Sequence, residues 1–199
     1  MSLDQPITFH HYDSLTSTND WIKKNYALYD LDRLHLLSAS QQTQGRGTYG
    51  KSWFSPEGLN LYASFFFALD TLPFPFTHIA QLLSLSSATT LESLGFTPKL
   101  KWPNDLLIEN KKIAGVLCEL VTIPGKTLIV LGLGLNVNMP LKLCLSLDQP
   151  ATSLAVISKR SWELEPLRQR LAEEFQQDLL LYLEKDFVPF YKAYTDRKL

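Results

Sequence analysis

From Leu59 to Phe65, apolar residues alternate with smaller or polar ones, the two-residue period of a strand. Residues 34–40 read as another strand, and 77–94 as a helix that Gly95 stops, because glycine accepts the left-handed backbone that closes a helix. Short strands follow near 98–102, 105–109, 113–121 and 127–138, and Asn110-Lys111-Lys112 is short enough to join the second and third as a hairpin. Leu167, Leu171, Phe175, Leu179 and Leu183 recur at helical spacing across 166–185. Pro166 suits that helix's first turn, and Pro189 limits its continuation. Ser17-Thr18-Asn19 offers capping side chains ahead of Trp21 and Ile22. The elements predict an α+β (mixed α/β) domain, and its hairpin connections argue against a purely parallel sheet.

One of these strands is unusual. From Ile129 to Asn138, alternation puts Leu131, Leu133, Leu135 and Val137 on one face and Gly132, Gly134, Asn136 and Asn138 on the other. Glycines weaken a strand, so either another backbone or a bound ligand is expected against that bare face. Lys101-Trp102-Pro103-Asn104-Asp105 sets a proline between two strand-like runs, which marks a strand end or bulge, with Asn104 and Asp105 able to hold a ligand or Mg²⁺. A plain Pro-Asn-Asp turn is the alternative. In Lys112-Ile113-Ala114-Gly115, Lys112 and Ala114 are expected to share a face, and Gly115 permits close approach of a ligand; an edge lysine that discourages aggregation is the blander reading.

The segment Gln42 to Trp53 satisfies two phosphate-loop patterns at once: Gly45-x-Gly47-x-x-Gly50 and Gly45-x-x-x-x-Gly50-Lys51-Ser52. Both need a helix to open at the loop, because its N-terminal N–H groups hold the phosphate. Pro56 and Gly58 would break such a helix, and strand alternation resumes directly afterwards, so neither pattern applies. What remains is a flexible backbone able to wrap a ligand, with Arg46 and Lys51 as cations and Trp53 as a stacking surface; a simple Gly-rich turn is the alternative.

Composition narrows the class. With 199 residues and 45% hydrophobic content, residues 1–199 are expected to form a single domain around one core. A net charge of −1 supplies no basic field for DNA or a membrane surface. No apolar run is long enough to span a bilayer, and residues 1–6 lack a signal-peptide pattern. Cys118 and Cys144 have no metal or redox spacing, which points to the cytoplasm and against a disulfide. His10 and His11 would point to opposite faces of a strand and therefore read as surface or edge residues, not a metal clamp.

Taken together and in order, Ser17-Thr18-Asn19, Gln42 to Trp53, Lys101 to Asp105, Lys112 to Gly115 and Gly132 to Asn136 resemble the biotin–protein ligase family. The resemblance implies a catalytic domain like those of class II aminoacyl-tRNA synthetases, with a mixed, largely antiparallel sheet flanked by helices. It implies an ATP-dependent, acyl-adenylate-forming ligase that makes biotinyl-AMP and transfers biotin to a lysine of a biotin carboxyl carrier protein of acetyl-CoA carboxylase. Biotin and ATP would be the substrates and Mg²⁺ the metal. Ser17, Thr18, Asn19, Gln42, Gly45, Gly115 and Gly132 would surround biotin, while Arg46 and Lys112 would be catalytic, holding its carboxylate and the α-phosphate. Lys51, Trp53, Asn104, Asp105 and Asn136 would join Arg46 and Lys112 around ATP, Asp105 also holding Mg²⁺.

The chain departs from the family pattern at Thr48, where arginine is common on the loop covering the adenylate. The N-terminal DNA-binding winged helix of bifunctional relatives is not expected, because Ser17 comes so soon after Met1, and the C-terminal β-barrel is expected to be absent or truncated. An exposed sheet edge could pair two copies as a homodimer. Two rival readings remain: a lipoate or octanoate ligase of the same superfamily, and a non-catalytic biotin- or nucleotide-binding protein. The first usually carries an Arg-Arg-x-Ser-Gly-Gly-Gly loop, which this sequence lacks. The second would not require Arg46, Lys101, Asp105 and Lys112 together.

Overall fold

A strand at Thr8–Leu15 (β1) leads to Ser17, whose hydroxyl accepts the Asp20 amide at 3.4 Å and so caps the helix Thr18–Asn25 (α1). The computed structural model describes residues 2–72 and 75–199, with only the backbone described at Phe76. His35–Gln42 (β2) and Leu61–Leu69 (β3) flank the glycine-rich loop. Phe76–Ser93 (α2) gives way at Gly95, whose φ of 91° is the left-handed geometry anticipated there. Lys99–Lys101 (β4), Asp105–Ile108 (β5), Lys111–Ile123 (β6) and Lys126–Leu135 (β7) follow. Two short helices, Leu141–Leu145 (α3) and Leu154–Ser158 (α4), precede the long Leu164–Lys185 (α5) and the terminal Tyr191–Arg197 (α6).

The strands form one seven-stranded sheet in the order β1-β2-β3-β7-β6-β5-β4, with only β1 and β2 parallel. This is the mixed, largely antiparallel sheet anticipated. Its first face packs on α2 and α5, where Phe65, Phe67, Leu131, Leu133 and Leu135 join Leu82, Phe175 and Leu179 in one buried cluster. Each such side chain contributes about 1.5–3 kcal/mol by leaving water. On the second face α1 covers only part of the sheet, burying Ile22 against Leu37, Phe66, Leu128 and Val130. Along β7 this face then changes from Leu128 and Val130 to Gly132 and Gly134. The uncovered part holds the site.

Two sequence expectations need correction or refinement. Lys112 and Ala114 do not share a face: the β5–β6 register slips between Leu106 and Leu107, so Ile113 and Ala114 both enter the core. This bulge leaves Lys112 on the side of Gly115 and the cavity described below. Of the adjacent histidines on edge strand β1, His11 is exposed and bonds Ser38 and Ser40, whereas His10 turns inward, 3.2 Å from His35 Nδ1. Among the described residues no helix is long and apolar enough to cross a membrane.

Candidate active site

Between β2 and β3 the loop folds back on itself. Trp53 N–H donates to the Gly45 carbonyl at 2.8 Å, Gly47 N–H donates to the Lys51 carbonyl at 2.7 Å, and Tyr49 and Gly50 turn the tip with φ of 56° and 73°. No α-helix opens here, so the two phosphate-loop patterns fail for the reason anticipated. Gly45 answers to this fold-back: a Cβ there would lie 2.4 Å from the Trp53 carbonyl oxygen. It is not part of the cavity wall.

The loop closes over a cavity of about 460 Å³, its open mouth included. The start of α1 contributes Ser17, Thr18 and Asn19, and the end of β2 contributes Gln42. Gly115, Leu117, Gly132 and Gly134 form the sheet side, and Asn104, Asp105 and Lys112 line one end. Hydrogen bonds fix the polar groups in advance. Gln42 Oε1 accepts from Thr18 N at 2.9 Å, and its Nε2 donates to Ser55 Oγ at 3.0 Å. Ser64 Oγ sits 2.7 Å from Thr18 Oγ1 and 2.6 Å from Asn19 Oδ1. The bare face of β7 is thus partly filled by protein: a Cβ on Gly132 would come 2.6 Å from Asn19 Oδ1.

A second cavity, of about 1030 Å³ with its open mouth included, lies beside the first. Lys51, Ser52 and Phe54 approach it from the loop, Asn136 from the end of β7, and Leu147, Asp148, Gln149 and Ala151 from the segment after α3. Trp53 and Lys112 line both cavities. Lys112 Nζ forms an ion pair with Asp105 Oδ1 at 2.7 Å and lies 5.2 Å from the Trp53 ring centroid, a cation–π distance. Trp53 Nε1 is buried without a hydrogen-bond partner. Asn136 donates to the Thr152 carbonyl at 3.0 Å. Asn104 pins β6: its side-chain amide donates to the Val116 carbonyl, and its own carbonyl accepts the Val116 N–H at 2.9 Å.

Arg46 belongs to a balanced ring of charges. Its Nη2 donates to Glu119 Oε2 at 2.6 Å and to Asp20 Oδ1 at 2.8 Å, while Lys23 Nζ reaches the same two carboxylates at 2.8 and 2.9 Å. Burial works against the Glu119 charge, yet its bonds from Arg46, Lys23 and Asn19 hold the carboxyl below its ordinary range. The Glu119 bond in turn raises the Arg46 pKa.

Of the site residues anticipated from sequence, Ser17, Thr18, Asn19, Gln42, Arg46, Trp53, Asn104, Asp105, Lys112, Gly115 and Gly132 come together at the first cavity. Lys51 and Asn136 face the second. Sequence reading missed Leu117, Glu119, Ser64 and the 147–149 segment. Strand alternation from Gly115 does place Leu117 and Glu119 on the same face, a signal that was available. Asp105 is the only acid lining the first cavity, Asp148 the only one lining the second, and no three His, Cys, Asp or Glu side chains converge among the described residues. Mg²⁺ that arrives with substrate phosphates needs only one or two protein carboxylates, so Asp105 fits that mode and not a resident all-protein site.

A family model described as the Biotin/lipoate A/B protein ligase family matches residues 12–136. The chain is 39% identical over 119 residues to the Escherichia coli "Bifunctional ligase/repressor BirA", covering 56% of this chain and 37% of that protein. It is 29% identical over 170 residues to the Mycobacterium tuberculosis "Biotin--[acetyl-CoA-carboxylase] ligase", covering 82% and 61% respectively. The chain therefore spans less than two thirds of the length of these relatives. Among solved structures, a biotin protein ligase from Aquifex aeolicus in complex with biotin and ATP superposes with a TM-score of 0.79 at 28% identity, over 96% of this chain and 78% of that one.

Proposed function

Because the chain belongs to the biotin/lipoate A/B protein ligase family, we propose that it activates biotin with ATP and passes the biotinyl group to a lysine of an acceptor protein. The observation that carries this reading is the position of Lys112, a single cation lining both cavities. Adenylation must bring a carboxylate and a triphosphate together, and a cation between the two sites lowers that repulsion in a partly dry setting.

In this reading the first cavity takes biotin. Ser17, Thr18, Asn19 and Gln42 offer hydroxyls and amides suited to a ureido ring, Leu117 packs its apolar parts, Gly115 lets it approach β6, and Gly132 lets Asn19 seat against β7 at the cavity wall. The second cavity takes the nucleotide, with Lys51 toward the phosphates, Asn136 hydrogen-bonding and Trp53 offering a ring face. The biotin carboxylate oxygen attacks the α-phosphorus and pyrophosphate leaves, with Arg46 at the first cavity holding the biotin carboxylate and Lys112, between the cavities, the α-phosphate. The acceptor's lysine amine then attacks the acyl carbon of biotinyl-AMP, an amide forms, and AMP departs. No enzyme nucleophile is required, so catalysis rests on positioning and charge. Mg²⁺ carried by ATP would be held by Asp105 and would offset phosphate charge.

The relatives named as ligases of acetyl-CoA carboxylase support its biotin carrier domain as the acceptor. The cytoplasm, where ATP and that acceptor meet, is the proposed compartment. A charge of −1 favours a protein acceptor over a DNA partner for these residues.

The test is ATP–pyrophosphate exchange with biotin, lipoate and octanoate supplied separately. Exchange should be strong with biotin and weak with the others. Equal exchange with lipoate would shift the assignment to the sister ligases that the family model also covers, and tight biotin binding without exchange would leave only a binding protein.

A further inference from the structure

Glu119 lines neither cavity, yet it touches groups on both sides of the first one. Its Oε2 accepts from Arg46 Nη2 at 2.6 Å and from Asn19 Nδ2 at 2.9 Å, and its Oε1 accepts from Lys23 Nζ at 2.8 Å. Arg46 belongs to the loop side of the cavity and Asn19 to the α1 side, where it lies against Gly132. Both bonds converge on one carboxylate oxygen.

The arrangement divides the guanidinium. Nη2 is occupied by Glu119 and Asp20, while Nε and Nη1 bond no group among the described residues. An arginine held by one edge keeps its other edge for an anion and loses less rotamer freedom when that anion arrives. The four charges, Asp20, Lys23, Arg46 and Glu119, sum to zero. Neutralising Glu119 therefore leaves the ring with an uncompensated positive charge and Arg46 with Asp20 alone, a carboxylate it must share with Lys23.

Asp20 does less. Its carboxylate pairs with Arg46 and Lys23 but bonds no side-chain amide of Asn19 among the described residues. Among the described residues only Glu119 bonds both the loop cation and the amide on the opposite wall.

We infer that Glu119 is a positioning residue for adenylation, holding Arg46 and Asn19 together at the biotin cavity so that the acid substrate meets a preset pair of groups. This inference rests on the ligase reading above. It assigns Glu119 to biotin capture and not to the chemical step, so its loss raises KM for biotin while kcat and KM for ATP change little.

The test compares wild type, Glu119→Gln and Glu119→Asp in ATP–pyrophosphate exchange, with melting temperature measured in parallel. The Gln variant should raise biotin KM roughly five- to tenfold, the equivalent of about 1–1.4 kcal/mol, with kcat within about twofold and ATP KM unchanged. The Asp variant keeps the charge on a shorter stem and should recover part of the loss. Unchanged biotin KM in the Gln variant overturns the inference. So does a fall in melting temperature and kcat without a rise in KM, which marks a structural role only. If the Gln variant does not fold, the Asp variant decides alone: its biotin KM must exceed wild type, or the inference is lost. No exchange by wild type would overturn the ligase reading and this inference with it, whereas active wild type with an indifferent variant overturns the inference alone.

Discussion

Trp53 occupies the space that a side chain at Gly134 would need: a Cβ there would lie 2.3 Å from Trp53 Cε2 and 2.5 Å from its Nε1. The partition between the cavities is therefore an indole resting on bare backbone. Gly134→Ala should push the ring from its seat and damage nucleotide binding more than biotin binding. Overpacking of this kind costs about 1–3 kcal/mol. Calorimetric titration with ATP and with biotin separates the two effects, and equal losses for both would contradict the assignment of cavities.

Lys112→Ala should act on the chemical step. Removing one fixed donor from a developing anion costs on the order of 2–4 kcal/mol, or about thirty- to a thousandfold in kcat. Asp105 would lose its partner at 2.7 Å at the same time, so Lys112→Met with Asp105→Asn is the informative double variant. Single-turnover formation of biotinyl-AMP gives the measurement. If Lys112→Ala retains wild-type rates, the cation between the cavities has no part in adenylation.

At Thr48 the prediction concerns retention of the adenylate. The residue does line the first cavity, and an arginine there would add a cation and a long side chain to its cover. A hydrogen bond to a charged group is worth about 1.5–3 kcal/mol. Thr48→Arg should therefore slow release of biotinyl-AMP by roughly ten- to a hundredfold and reduce labelling of non-cognate proteins. Identical release from both proteins would show that other groups close the site.

Acid should destabilise the fold through the paired histidines. Burial lowers the His35 pKa from 6.5; burial and the neighbouring His35 lower that of His10. As pH falls through 6.5, the unfolded chain binds protons at these positions while the folded chain resists, so unfolding gains free energy. The stability present above that pH is progressively lost until the folded imidazoles themselves protonate. Urea midpoints should therefore drop as pH falls from about 7 through 6.5 and below. His10→Gln removes one of the two titrations and should show a shallower drop; a slope equal to wild type would exclude His10 as a contributor.

The strongly patterned elements were legible because burial is periodic: the long helix of 164–185 and the β7 alternation follow from spacing alone. The helices at 141–145, 154–158 and 191–197 were not, since five to seven residues hold too few turns to show a face. The bulge that turns Lys112 toward Gly115 was invisible because register is decided between strands, not within one. In the site, residues with distinctive chemistry such as Arg46, Lys112 and the β7 glycines were readable. Alternation from Gly115 places Glu119 on the site's face, but its contacts with Asn19, Lys23 and Arg46, distant in sequence, were not legible.

On the proposed assignment of biotin and nucleotide to the two cavities, the wall shared through Trp53 and Lys112 would link their binding thermodynamically. If either occupant shifts the indole or draws the ammonium away from Asp105, the empty chamber beside it changes shape and charge. Linkage then runs equally both ways: the factor by which bound biotin alters nucleotide affinity equals the factor by which bound nucleotide alters biotin affinity. On the proposed reading, two shared side chains would thus set a cooperativity between substrates that neither pocket could possess alone.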